Sequence, residues 1–271
     1  MTKIFKTLSG QDYELFYSVS GIGNHAVLMF HGFGQNHSIY DPYYKNAPSC
    51  CYYALDLFYH GKSTRPDTQL SSEDWLEIMQ VFLNKEQIDD FSVIGFSLGG
   101  RFALFMALHF QLRIKHLILI APDGFYRSPW YLMSTSWPTQ LFFSFLVNHR
   151  TSFNTVMKLL KIIGFVNASM TKFIDRELSN DADLKRVYRS WTYFKPIHIP
   201  QKKIKILLTK IASIHVFLGK KDPLIKAKKV IPFFNCMSCT LLSAKHHKLP
   251  QHPAVLAYLN DVLNNPSLKS P

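Results

Sequence analysis

No stretch of this sequence is both uncharged and apolar for the ~18 residues that a membrane-spanning helix needs. Residues 1–9 alternate polar and apolar side chains and lack the apolar core of roughly 7–15 residues that a secretory leader carries. Cysteine is scarce, with four residues at 50, 51, 236 and 239. Cys50 and Cys51 are adjacent and are poor disulfide partners for each other. Cys236-x-x-Cys239 is a single pair, and no second CxxC or His pair completes a zinc site. These absences give no sign of a spanning helix or of a zinc-stapled fold. They lead to the expectation of a cytoplasmic protein with reduced, partly buried thiols. There is no internal repeat and no low-complexity tract. Acidic side chains thin out along the chain. Residues 1–124 hold nine Lys/Arg and twelve Asp/Glu, residues 125–200 hold ten and four, and residues 201–271 hold twelve and two, for a net charge of +13. Such a surplus attracts nucleic acid, anionic lipid or an acidic substrate. However, the lysines of 201–210 lie at helical spacing opposite Ile204, Leu207 and Leu208. A solvated helix face accounts for them, and no nucleic-acid partner is expected.

What is present is a large apolar fraction, 47% of 271 residues, enough for one sizeable core with or without an inserted subdomain. Residues 3–8 and 12–20 alternate around Ser9-Gly10-Gln11, which predicts an antiparallel hairpin. Short apolar runs at 25–30, 52–57, 91–94, 115–121, 214–218 and 237–242 predict buried strands. Helices are predicted at 71–85, 101–109, 201–211, 225–231 and 253–263. The first of these has Ser71 or Ser72 as its cap and Glu73 and Asp74 in its first turn, where the helix dipole favours anions. Between 125 and 200 the rhythm breaks into an aromatic, basic and mostly helical stretch that includes Trp130, Trp137, Phe142, Phe143, Phe145, Phe153, Phe165, Phe173, Trp191 and Phe194. The tail 264–271 is expected to fray. Strands alternating with helices imply an α/β fold, with a mostly parallel sheet of about eight strands and helices on both faces. In such a sheet, sites form beyond the carboxyl ends of the strands. Ser97, His31, Asp123, Asp222 and the His246 region all follow predicted strands.

Gly95-Phe96-Ser97-Leu98-Gly99 carries the most chemistry. It matches G-x-S-x-G, with a buried strand before it and a helix after it. A strand that turns sharply into a helix at a serine pushes the hydroxyl out above the sheet, and the glycines allow the close approach this requires. A serine hydroxyl needs a base within hydrogen-bond reach, and the base needs an orienting carboxylate. Asp222, in Gly219-Lys220-Lys221-Asp222-Pro223, is the expected acid, with Asp123 as the fallback. His246, His247 and His252 all lie near the last strand, and one of them is the expected base. Acyl transfer also needs donors for the developing oxyanion. The backbone N–H of Leu98 is expected to supply one and that of Phe33, within His31-Gly32-Phe33-Gly34, the other. His31, Gly32, Gly34 and Phe96 are expected to line the substrate site around these donors.

These motifs together resemble those of the α/β-hydrolase superfamily, in its capped single-domain form. The resemblance covers about residues 10–124 and 201–264. His31 to Gly34 is similar to the family's oxyanion-hole motif, 95–100 to its nucleophile elbow and 219–223 to its acid loop. Residues 56–63 are similar to its D-x-x-G-H-G-x-S segment, with Phe58 and Tyr59 in the variable places. His246, Gln251 and Pro253 keep the spacing of its closing G-H-x-x-x-x-E-x-P. The resemblance therefore favours His246 as base, while Lys245 and Gln251 depart from the pattern and leave His247 as the rival. By the same resemblance, residues 1–124 and 201–271 form the core, and residues 125–200 form an inserted helical cap over the serine. The implied activity is hydrolysis of an ester or thioester of an apolar small-molecule acyl substrate, with no metal or organic cofactor. Carbon–carbon bond hydrolysis, lyase chemistry or cofactor-free peroxidation on the same residues is the second reading, and a non-catalytic ligand- or membrane-binding protein is the third. Trp137-Pro138 and residues 141–147 read either as cap core or as a weak membrane-surface contact.

Overall fold

The computed structural model describes residues 2–6, 12–44, 49–66, 69–126, 136–166, 171, 178, 180–234 and 238–264. The expected turn at Ser9-Gly10-Gln11, together with Trp130, Phe173, Cys236, Met237 and the tail 265–271, lies outside them. The strands are β1 (Thr2–Lys6), β2 (Asp12–Ser20), β3 (His25–Phe30), β4 (Cys50–Leu55), β5 (Phe91–Phe96), β6 (Ile114–Ile120), β7 (Ile214–Gly219) and β8 (Cys239–Leu242). They form one sheet in the order β1-β2-β4-β3-β5-β6-β7-β8. The pairs β1–β2 and β2–β4 are antiparallel, and every other neighbouring pair is parallel. The sheet is mostly parallel, with helices on both faces. Its central strands show why. β5 and β7 are buried at every position, and β6 at every position but Lys115. A strand covered on both sides reads as an unbroken apolar run instead of an alternating one.

Besides short 3-10 turns, the described residues form the α-helices α1 (Ser72–Lys85), α2 (Leu98–His109), α3 (Thr139–Asn148), α4 (Arg150–Ile162), α5 (Asp181–Tyr193), α6 (Gln201–Leu208), α7 (Ala227–Val230) and α8 (Pro253–Asn264). Ser71 caps α1 in a reciprocal box. Its hydroxyl accepts from the Asp74 N–H at 2.9 Å, and the Asp74 carboxylate accepts from the Ser71 N–H at 3.0 Å. The helix buries Trp75, Ile78, Met79, Phe82 and Leu83 on one side. By contrast, α2 is buried nearly all round, from Leu98 to Ala107, and packs against β3, β5 and β6. Among the described residues, no helix is long and apolar enough to cross a membrane.

The chain divides into two compact units. One comprises residues 1–66, 71–126 and 197–271 and holds the whole sheet. The other comprises residues 67–70 and 127–196. In the second unit the described elements are α3, α4 and α5, with α3 packing against both of the others. Phe143 of α3 faces Tyr188 and Trp191 of α5, at ring-centroid distances of 5.6 and 6.4 Å.

Two local expectations shift. The strand expected at 52–57 runs instead from Cys50 to Leu55, where its parallel pairing with β3 ends opposite Phe30, although the Asp56 N–H still donates to the Phe16 carbonyl of β2 at 2.9 Å. The second concerns Tyr59, which does not occupy a variable place. It stands at the first glycine position of D-x-x-G-H-G-x-S and has φ +68°, in the left-handed region. Its N–H donates to the Thr64 carbonyl at 3.1 Å, and its phenol donates to the Pro66 carbonyl.

Candidate active site

Chain order in the sheet reverses at β3, which lies between β4 and β5. A crevice opens beyond the carboxyl ends of the strands at such a point. Residues 31–34 leave β3 there, and Ser97 leaves β5. Ser97 has φ +50° and ψ −116°, a conformation that a residue with a Cβ occupies only under restraint. The restraints are visible. Its N–H donates to the Ile120 carbonyl at the end of β6 (3.0 Å), and its carbonyl accepts from Gly100 (2.9 Å) and Asp123 (2.7 Å). A Cβ on Gly99 would lie 1.8 Å from the Phe30 carbonyl oxygen, and one on Gly95 would lie 2.6 Å from the Gly99 carbonyl oxygen. The turn from β5 into α2 closes only because these positions are bare. The Ser97 side chain makes no cap bond to its own helix, so its hydroxyl is left for other work.

That hydroxyl meets His246. Nε2 lies 3.0 Å from Ser97 Oγ, and Nδ1 lies 2.6 Å from Asp222 Oδ2. The other carboxylate oxygen of Asp222 accepts from the N–H groups of Leu224 (2.8 Å) and Ile225 (3.0 Å), which fixes the carboxylate plane. A carboxylate only accepts, so Nδ1 carries the proton and Nε2 presents its lone pair to the serine O–H. Asp222 is buried and His246 is partly so. Phe96 packs its ring on the imidazole with centroids 5.0 Å apart. The loop that carries His246 is tied down from two directions. The Lys220 N–H donates to the Leu242 carbonyl at 2.8 Å, and the Tyr43 phenol donates to the Pro250 carbonyl at 2.6 Å.

The remaining candidates separate clearly. His247 is exposed, and His252 accepts the Ala254 N–H at 3.2 Å, so neither holds the place that His246 takes. Asp123 is not the acid partner. Arg101 pairs with one of its oxygens, and the Gly124 N–H donates to the other at 2.7 Å. Leu98 opens α2 directly after Ser97, and Phe33 is half-buried with its ring edge-on to His60. Gly32 packs under the Phe96 ring, and Gly34 is exposed with φ +72°.

His31 does not line a substrate site. It is fully buried, and both ring nitrogens are engaged by backbone. Nε2 accepts the Leu57 N–H at 3.0 Å, so Nδ1 is the protonated nitrogen and donates to the Gly32 carbonyl at 2.7 Å. The histidine therefore pins the loop after β3 to the loop after β4. The residues the sequence reading missed are of the same supporting kind. Tyr43 anchors the His246 loop, and Arg101 removes Asp123 from contention. Neither carries a motif signal.

Burial lowers the pKa of His31 to about 3, with neighbouring His60 adding to the effect. Burial likewise lowers His116 and His215 to about 4. All three stay neutral in the folded chain, whereas in the unfolded chain they protonate near the ordinary value of about 6.5. The unfolded state thus binds more protons between those limits, so stability rises with pH through the window and is lost on acidification below about 6.5. The thermal midpoint is expected to fall steadily from pH 7 to pH 4. A midpoint that stays level down to pH 5 would contradict this.

Residues 25–159 match the family model of the alpha/beta hydrolase fold. The chain is 31% identical over 121 residues to an uncharacterized protein of Mycobacterium tuberculosis, a match covering 44% of this chain and 35% of that protein. It is 26% identical over 122 residues to a 1-acylglycerol-3-phosphate O-acyltransferase of Rattus norvegicus, covering 43% and 35% respectively. The matched segment spans about a third of the length of these curated relatives. Across 99% of this chain and 100% of the other, the structure superposes with a TM-score of 0.71 on a thermophilic esterase from Thermogutta terrifontis, at 15% identity. That likeness describes the fold.

Proposed function

The chain belongs to the α/β-hydrolase superfamily, and within it we propose that this protein is a serine hydrolase that cleaves a carboxylic ester or thioester through an acyl-enzyme. One observation carries this reading: the unbroken run of hydrogen bonds from Asp222 through His246 to Ser97. Ser97 Oγ bonds to the acyl carbon as its proton passes to His246 Nε2. Asp222 holds the imidazole in the tautomer that can receive that proton and stabilises the cation that results. The oxyanion that forms is bound by the N–H groups of Leu98 and Phe33, each contributing about 3 kcal/mol to the transition state. His246 then returns the proton to the departing alkoxide or thiolate. In the second half-reaction it takes a proton from water, the hydroxide adds to the acyl carbon, and the bond from that carbon to Ser97 Oγ breaks as His246 returns the proton to Oγ and the acid leaves.

No metal or organic cofactor enters this scheme. The substrate is a small-molecule acyl compound with an apolar group, in keeping with the aromatic side chains concentrated in residues 125–200. The setting is cytoplasmic, and nucleic acid is not a partner.

A fluorophosphonate probe tests the reading, because it reacts covalently only with an activated serine. Mass spectrometry of the labelled protein is expected to place the phosphonate on Ser97 alone, and Ser97→Ala is expected to take up none. A folded wild-type protein that stays unlabelled, or that is labelled elsewhere, would overturn the assignment.

A further inference from the structure

We propose that the outward faces of α3 and α4 dock this protein onto an anionic lipid surface. The observation is an inversion of helix amphipathicity. α3 turns Phe143, Leu146 and Val147 inward, with Phe143 against α5 and the other two buried. An ordinary surface helix carries polar and charged groups on the opposite side. Here that side presents Leu141, Phe142 and Phe145, each roughly half exposed, with Trp137 at 78% exposure just before the helix. α4 buries Phe153, yet leaves Leu159 exposed, and Ile162 and Ile163 after it are 71% and 70% exposed. Large apolar side chains left bare on two consecutive, mutually packed helices mark an interaction surface.

Charge identifies the occupant. Within α3 and α4 the sequence contains no Asp or Glu, and Lys158 and Lys161 fall on α4, while Arg150 at its start lies 4.0 Å from Asp181 of α5. Lys158 and Lys161 are exposed on α4 directly beside Leu159 and Ile162. Protein–protein interfaces are depleted of lysine at their centres. Tryptophan and aliphatic side chains interleaved with lysines, on two helices that carry no carboxylate of their own, instead match a bilayer boundary. There the apolar groups enter the headgroup region and the ammonium groups meet lipid phosphates. The proposal takes up the membrane-surface reading that the sequence leaves open for residues 137–147, and it stands apart from the chemistry at Ser97.

Co-sedimentation with phosphatidylcholine vesicles, with and without phosphatidylglycerol, tests it. The protein is expected to bind the anionic vesicles at least about tenfold more tightly than the neutral ones, and added salt is expected to weaken that binding. Lys158→Ala is expected to weaken it roughly fivefold. Phe142→Ser combined with Ile162→Ser is expected to remove it, with the thermal midpoint unchanged because both side chains are exposed. Equal binding by this double variant and the wild type would overturn the proposal. So would a dimer, seen by sedimentation velocity, that the same two substitutions dissolve while lipid binding is absent.

Discussion

Ser97→Ala is expected to lower kcat/KM for a p-nitrophenyl ester by at least about 10⁴-fold and to leave the thermal midpoint within a degree or two of wild type. The two halves of this result have separate physical sources. Activity falls because the hydroxyl that faces His246 Nε2 is gone, and among the described residues no other side chain hydrogen-bonds to that nitrogen. Stability holds because the Ser97 hydroxyl caps no helix, while the backbone bonds that fix its strained φ belong to its N–H and carbonyl, which alanine keeps. His246→Ala is expected to cost a similar factor, and the double variant to be no worse than either single one, since residues that act as a unit are not additive. Losses that multiply in the double variant would show that the two side chains do not work together.

Gly99→Ala is expected to destabilise the fold on the order of 3–5 kcal/mol, a large share of a domain's total stability. The added methyl would sit 1.8 Å from the Phe30 carbonyl oxygen and 2.4 Å from its carbon. Both are backbone atoms of the central strand β3, so no side chain can turn aside to relieve the overlap. The strand and α2 would have to move apart, carrying Ser97 and the loop after β3 in different directions. A urea midpoint more than about 1 M below wild type, or failure to accumulate folded protein, is the expected outcome. A variant within 0.5 kcal/mol of wild type would show that this contact is looser than described.

Much of the architecture is legible in the residues because each signal is local. The β5–α2 turn is written in glycine spacing around Ser97, and α1 in a serine followed by acids and an apolar stripe. The parallel sheet is written in continuous apolar runs. What stays hidden depends on which atoms face each other across distant segments. Asp123 and Asp222 give the same signal, an aspartate just after a strand. Arg101, on a neighbouring helix, is what engages the first and leaves the second to the imidazole. His246 and His247 are adjacent in a single short turn, and only the orientation of that turn decides which ring points inward. His31 reads as substrate-facing because it follows a strand beside glycines. In fact its ring fills a buried gap between two loops. Tyr59 hides a left-handed backbone behind a side chain that rarely accepts one.

The hold of Tyr43 on Pro250 spans 207 positions of sequence, and that of His246 on Ser97 spans 149. Contacts of such range close late when a chain collapses, because a long loop must be ordered before they form. The serine elbow can therefore take shape while the imidazole is still far away, and a partly assembled molecule would expose a hydroxyl with nothing to deprotonate it. On the proposed function, hydrolytic competence would then depend on the C-terminal segment that carries His246 being in place.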